Sequence, residues 1–419
     1  LRQLSTAPYE EVAFHVMQPF VADSVPEDEF RQITAEAYAG FRHPAVTPLK
    51  QLDDSLWLQE LFHGPTLAFK DVAMQLLARL MDRALEKRGA HATIVGATSG
   101  DTGGAAIEAF KSSRNASIFI LHPHGRVSDV QRRQMTTVDA AHVHNIALDG
   151  TFDDCQAIVK ALFNDPKFRE KQRLSGVNSI NWARIMAQMV YYFTAALALG
   201  APGRSVSFTV PTGNFGNVFA GFSAKRLGLP IDKLVIATNP NDILDRTLKT
   251  GRYEVKGVKP STSPSMDIQV SSNFERLVYF ACEHDVNRVR NLMESLRQSG
   301  SFTLQDRPLE AVRAEFSSTA QSEAQTAEVI RNTLKETGEL LDPHSAVAVG
   351  AARENLGETP MVALATAHPA KFPDAVFEAC GLTPGLPEAL KHLNSAKERY
   401  TVLPNDAAAV KQFIAERTR

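Results

Sequence analysis

Apolar residues recur at three- and four-residue steps through Ala73, Leu76, Leu77, Leu80 and Ala84, which predicts an amphipathic helix from Val72 onward. Just ahead of it, the Gly and Pro of His63-Gly64-Pro65-Thr66 mark a tight turn. Lys70 therefore stands where loop becomes helix. Upstream, residues 9–38 read as helix broken at Pro19 and Pro26, and Pro44 and Pro48 mark the connection that follows. Downstream the pattern changes period. Residues 92–96 (ATIVG) predict a strand, 97–104 (ATSGDTGG) a polar glycine turn, the stretch through Phe110 a helix, and 117–121 a second strand, together a βαβ unit. Another strand is expected over 141–148 and another helix over 152–163, before Asn164-Asp165-Pro166 breaks the chain.

A second βαβ unit follows. Residues 178–199 contain a long helix, the strand 206–210 runs into PTGNFGN at 211–217, and a further helix leads to the strand 234–238. The glycine loop thus lies at the carboxyl end of a strand, where ligands bind in open α/β sheets. Residues 249–268 read as a long loop, 273–336 as mainly helical, and 361–366 as a late strand ending in His368-Pro369-Ala370-Lys371-Phe372. With 419 residues the chain exceeds the ~250–300 at which single cores stop growing, so two domains are expected. The pattern divides it into an N-terminal helical flank at 1–45, a larger α/β unit from 46–92 and 165–419, and a small α/β unit at 93–164.

Composition narrows the function classes. Lys plus Arg number 45 against 47 for Asp plus Glu, a net charge of -2, so nothing in the overall charge favours nucleic acid or an anionic membrane. Cys155, Cys282 and Cys380 lie far apart and form no CxxC pair, which argues for a reducing cytoplasm over a disulfide framework. The most apolar run, 189–199, is shorter than the ~17–25 residues of a spanning helix. The chain begins at Leu1 with no signal pattern and reads as trimmed or incomplete.

Several stretches carry chemistry. A lysine at a helix start is disfavoured as a cation, and a neutral amine is what Schiff-base chemistry needs; the ordinary alternative is a solvated Lys70-Asp71 pair. In PTGNFGN, two glycines, free N–H groups and a helix start make an anion site suited to a phosphate, although a GxxG is also common turn chemistry. ATSGDTGG offers the Thr98, Ser99 and Thr102 hydroxyls to a carboxylate or phosphate, with Asp101 either a ligand contact or a helix N-cap. Asn178, Asn181 and Arg184 add two amides and a guanidinium within seven residues, suited to gripping an anionic group. The histidines have no zinc spacing, so no metal site is expected, and no GxSxG elbow supports a hydrolytic triad.

In order between residues 61 and 376, HGPTLAFKD, GATSGDTGG, NSINWAR, PTGNFGNVFAG, MDIQVSSNFER, LDPHSAV and ATAHPAKF together closely resemble the threonine synthase family, in its bacterial and fungal branch. The resemblance implies a fold-type-II pyridoxal-phosphate enzyme that converts O-phospho-L-homoserine and water to L-threonine and phosphate. It implies that Lys70 is the Schiff-base lysine, that Gly213, Asn214, Phe215, Gly216 and Asn217 hold the cofactor phosphate, and that Thr366 meets the pyridine nitrogen. Thr98, Ser99, Asp101 and Thr102, with Asn178, Asn181 and Arg184, then hold the substrate. Many fold-type-II relatives carry Asn where this chain has Asp101. The family's opening segment is expected to be missing ahead of Tyr9. The rivals are a related phospho-lyase giving 2-oxobutyrate and a non-catalytic cofactor-binding homologue. As partners the reading implies a small-molecule substrate, no nucleic acid and no membrane, with the protein a monomer or homodimer.

Overall fold

The computed structural model describes residues 1–418. Two parallel-rich sheets with helices on their faces organise the chain, so the expected α/β class is what the protein adopts. The first has the order Leu49–Gln51, Leu56–Glu60, Met361–Ala365, Val206–Pro211, Ile231–Thr238, Phe316–Ala320. Its first pair is an antiparallel hairpin and every later pair is parallel. The second sheet is wholly parallel, in the order Thr401–Pro404, Val143–Asp149, Ala116–Pro123, Ala92–Ala97, Leu174–Ser175. The helices Tyr9–Met17 and Glu27–Tyr38 flank the first sheet's core. No helix among the described residues is long and apolar enough to cross a membrane.

Parallel strands covered on both faces read as continuous apolar runs, and Ala116–Pro123 is buried at every position. The helix Lys70–Lys87 lies between the two sheets' helices, packing on Trp182–Ala198 on one side and Asp101–Phe110 on the other. Its first nine residues, Lys70 to Ala78, are buried and the rest become exposed. Lys70 is thereby carried into the interior. Trp182–Ala198 packs closely on Gly216–Arg226 because Gly221 has no side chain: a Cβ there would fall 2.7 Å from the Tyr192 ring. Close approach of helices at a small residue is the reason a glycine is tolerated inside that helix.

Sheet membership departs from the expected division at two places. Leu174–Ser175 pairs with Thr93 and Ile94, and Thr401–Pro404 pairs with Val143–Asp149. The helix Ala407–Ala415 follows that last strand and buries Val410, Phe413 and Ile414 against Phe119, Leu148, Cys155 and Leu162. Burying three such side chains stabilises by about 1.5–3 kcal/mol each, which fastens the C-terminal segment to the second sheet and not to the larger one assigned to 165–419. The hairpin strands near residue 50 and the strand Phe316–Ala320 were likewise not expected. They are short, and Phe316–Ala320 (FSSTA) is mostly small and polar, so no alternating pattern marks it.

Candidate active site

The main chain places Lys70. Residues 61–69 run along 365–368: Leu61 N donates to Ala365 O at 2.9 Å, Phe69 N to Thr366 O at 2.8 Å and His368 N to Leu67 O at 3.0 Å. Lys70 and Thr366 are neighbours for that reason. The turn before Lys70 is built on Asp71, whose fully buried carboxylate accepts Thr66 N at 2.7 Å and Thr66 Oγ1 at 2.6 Å. Burial pushes the Asp71 carboxyl up to about 6, against the lowering effect of both Thr66 bonds. Gly64 is required here, since a Cβ on it would lie 2.4 Å from Asp71 Cβ. Asp71 therefore serves the turn, and the solvated Lys70-Asp71 pair does not form.

The partner of Lys70 is Asp101. Lys70 Nζ lies 3.1 Å from Asp101 Oδ2 and donates to Ser265 Oγ at 3.3 Å. Asp101 Oδ2 also accepts from Ser265 Oγ at 3.1 Å, while Oδ1 accepts from Gln131 Nε2 at 2.9 Å and forms an ion pair with Lys371 Nζ at 2.9 Å. Asp101 is the first residue of its helix and the cap position is Gly100, so the N-cap alternative falls away. Burial pushes the Asp101 carboxyl up, but the charges of Lys371 and Lys70 outweigh it and hold the group well below the usual carboxylate range. Burial lowers Lys70 below the ordinary lysine value, Asp101 opposes this, and Lys371 and Arg184 act with burial. The direction for Lys70 is the one expected from the helix end, but its largest cause in the fold is burial.

Ser265 is held from behind. Its N–H donates to His344 Nε2 at 3.2 Å, and His344 Nδ1 lies 2.7 Å from Asp342 Oδ2. Accepting at Nε2 leaves the imidazole proton on Nδ1, toward Asp342. The Asp342, His344 and Ser265 order resembles a hydrolytic triad only superficially, because the ring meets the serine's amide and not its hydroxyl.

The loop 213–217 lies on the other side of Ser265. The N–H groups of Asn214, Phe215, Gly216 and Asn217 have no acceptor among the described residues, and they stand at the start of the helix Gly216–Arg226. Such a set fits a phosphate. Its shape is fixed by Ser271 Oγ to Gly213 O at 2.7 Å and by Asn273, whose N and Nδ2 both donate to Asn214 O at 3.1 Å. Phe215 sits in the left-handed region at φ 65° with its ring in the core against Phe274 and Phe316; its contribution to a ligand is its amide. Asn217 Oδ1 accepts from Tyr191 at 2.6 Å and Tyr192 at 2.9 Å, which leaves its buried Nδ2 without a partner. The Thr366 hydroxyl makes no hydrogen bond to another described residue, although its carbonyl is engaged. These donors fit a pyridoxal phosphate, with the phosphate on the loop and Thr366 free for the ring.

The expected substrate residues divide. Arg184 is buried, its Nη1 donates only to Val177 O at 3.2 Å, its Nε has no partner, and no carboxylate pairs with it among the described residues. Burial pushes it down to about 10, so it stays a cation at neutral pH, and its charge is felt at Lys70. Thr98 Oγ1 accepts Gly100 N at 3.0 Å and Gly103 N at 2.9 Å, which shapes the glycine turn. Asn181 Oδ1 caps the helix Trp182–Ala198 through Ala183 N. Ser99 and Thr102 are half-buried and Asn178 exposed, and none of the three bonds to the Lys70 cluster. Sequence reasoning passed over Ser265, Gln131, Gln134, His344 and Lys371. Lys371 was visible in ATAHPAKF, but nothing local marks a lysine that folding will bury completely.

The comparisons with known proteins settle the family. A model described as "Pyridoxal-phosphate dependent enzyme" matches residues 41–367, one described as "Threonine synthase N terminus" matches 1–38, and one described as "Threonine synthase, C-terminal" matches 345–414. The chain belongs to the threonine synthase family. A threonine synthase of Pseudomonas aeruginosa is 54% identical over 98% of this chain and 88% of that protein. A crystal structure of pyridoxal-phosphate-bound threonine synthase from Brucella melitensis superposes with a TM-score of 0.98 at 58% identity, covering 100% of this chain and 90% of that one. The yeast threonine synthase structure gives 0.94 at 39% identity, over 100% and 90%. The protein is thus a pyridoxal-phosphate-dependent lyase of fold type II, as the motifs implied.

Proposed function

We propose that the site takes O-phospho-L-homoserine and, with water, converts it to L-threonine and phosphate. The observation that supports this is Arg184: a buried guanidinium with no carboxylate partner among the described residues, its charge felt at Lys70, suits an anion other than the one on the amides of 213–217. With the amides of 213–217 taken by the cofactor phosphate and the Thr98 loop left to the substrate carboxylate, Arg184 serves a second anionic group, which O-phospho-L-homoserine carries and an ordinary hydroxy-amino acid lacks.

On this reading the loop 213–217 and Thr366 hold pyridoxal phosphate at Lys70. When bound, the cofactor supplies an electron sink for the substrate's α carbon. Lys70, lowered by burial, takes the proton from that carbon and then one from the β carbon. Asp101 and Ser265 aim its amine. Arg184 grips an anionic group, and the Thr98 loop with the Asn178 and Asn181 amides lines the substrate side. Loss of phosphate from the γ carbon, protonation there, addition of water at the β carbon and return of the α proton complete the balance. We place the protein in the cytoplasm as a monomer or homodimer, and take the division into flank, larger and smaller units as organising this site between the two sheets.

Reaction in heavy-oxygen water tests the proposal. Label in the threonine hydroxyl with unlabelled phosphate is expected, because the carbon-oxygen bond breaks and water adds at carbon. Label in the phosphate would mean attack at phosphorus and would overturn it. Borohydride reduction should also fix the cofactor on Lys70, and mapping to another lysine would remove the site assignment.

A further inference from the structure

Two lysines share one buried carboxylate. Lys371 is 0% exposed and its ammonium meets three oxygens: Thr66 O at 2.7 Å, Asp101 Oδ1 at 2.9 Å and Gln134 Oε1 at 3.0 Å. Two hydrogen bonds and one ion pair thereby engage the ammonium on three sides. Gln134 Nε2 in turn donates to Thr66 O at 3.1 Å, which closes the cluster around Lys371. The other oxygen of Asp101 faces Lys70 and Ser265.

This arrangement answers a chemical conflict. A carboxylate at hydrogen-bond distance favours the protonated form of an amine, yet Lys70 must be a neutral amine to react with a carbonyl or accept a proton. We propose that Lys371 is a positioning residue for Lys70: it takes up the charge of Asp101 permanently, so that Asp101 can orient the Lys70 amine without holding it as an ammonium. When Lys70 gives up its proton, Asp101 and Lys371 remain as a paired, fully bonded unit, and no buried carboxylate is left unpaired. The other titratable groups near the cluster are Arg184, whose charge is felt at Lys70, His344 with its partner Asp342, close to Asp101, and Asp71, which feels the charge of Lys371. The inference rests on Lys70 being the reactive amine of the proposed function.

Trace acetylation of the full chain, freed of cofactor, reads the protonation of Lys70 directly when the Lys70 peptide is quantified across pH. Lys371→Met removes a like charge and leaves Asp101 to Lys70 alone, so the labelling midpoint should rise by about one unit or more. Asp101→Asn should move it down, because the raising charge is lost while Lys371 stays. The double variant should return toward wild type. Coincident midpoints for Lys371→Met and wild type, or a double variant that stays with Asp101→Asn, would overturn the proposal. Should Lys371→Met lose its cooperative unfolding transition, the order of Asp101→Asn below the double variant decides. Prior incubation with pyridoxal phosphate should protect Lys70 from acetylation; protection of a different lysine would overturn the reading of Lys70 itself, whatever the midpoints show.

Discussion

Replacing Gly64 by alanine tests how the turn delivers Lys70 to the site. The new Cβ would lie 2.4 Å from Asp71 Cβ and 2.5 Å from its Oδ2, well inside contact distance. Asp71 cannot move aside freely, being fully buried and bonded to Thr66 N at 2.7 Å and Oγ1 at 2.6 Å. Hydrogen bonds to a charged group are worth about 1.5–3 kcal/mol each, and overpacking costs about 1–3 kcal/mol. Loss of one such bond plus the strain gives roughly 2.5–6 kcal/mol, a large part of the ~5–15 kcal/mol that holds a domain together. Urea unfolding at pH 8, where Asp71 at about 6 is ionised, should show that loss. A decrease below about 1 kcal/mol would refute the reasoning, since it would mean the turn and Asp71 separate without penalty.

Arg184→Ala should sharply reduce turnover of O-phosphohomoserine while the protein's cofactor spectrum stays unchanged; removing a charge-assisted contact to a desolvated group costs about 2–5 kcal/mol, and equal turnover would take Arg184 out of the site. Gly213→Val should impair cofactor retention, because a Cβ there falls 2.9 Å from Ser265 O and 3.2 Å from Met266 Cα and must push the Ser265 segment away from Lys70; normal retention on gel filtration would contradict this. Burial lowers His144 to about 4, with Arg417 and His142 acting the same way. The folded protein then binds fewer protons than the unfolded chain between about 6.5 and 4, so stability is intact above that window and falls as pH drops through it. His144→Phe, beside the stacked Phe119 ring, should flatten that slope, and an unchanged slope would assign it to other groups.

Much of the fold was legible because period and punctuation agree in this chain. The helix Phe152–Phe163 lies where the sequence puts it, opened by a Thr151 capping box, and the strands around the two glycine loops are apolar enough to announce themselves. Lys70 and the 213–217 loop stood out as candidates because glycine punctuation and a helix start coincide at each, whereas Thr366 entered only through the resemblance. Other features left no local trace. Phe316–Ala320 is a strand through its pairing with Ile231–Thr238, and Thr401–Pro404 through Val143–Asp149, partners far off in sequence. The roles of Thr98 and Asn181 depend on which backbone N–H each oxygen meets, and that is decided by the folded turn. Gly213 is instructive: its lack of a side chain admits the Ser265 backbone, where the sequence suggested only room for a phosphate. Lys371, three hundred residues from Lys70 in the chain, acquires its meaning when Asp101 lies between them.

Whether this site turns O-phospho-L-homoserine into threonine is read from its products. Chromatography of the products from that compound, with phosphate measured in the same samples, tests it most directly. Threonine and phosphate in equal amounts with little 2-oxobutyrate are expected; phosphate released with 2-oxobutyrate and ammonia in place of threonine would overturn the proposed reaction.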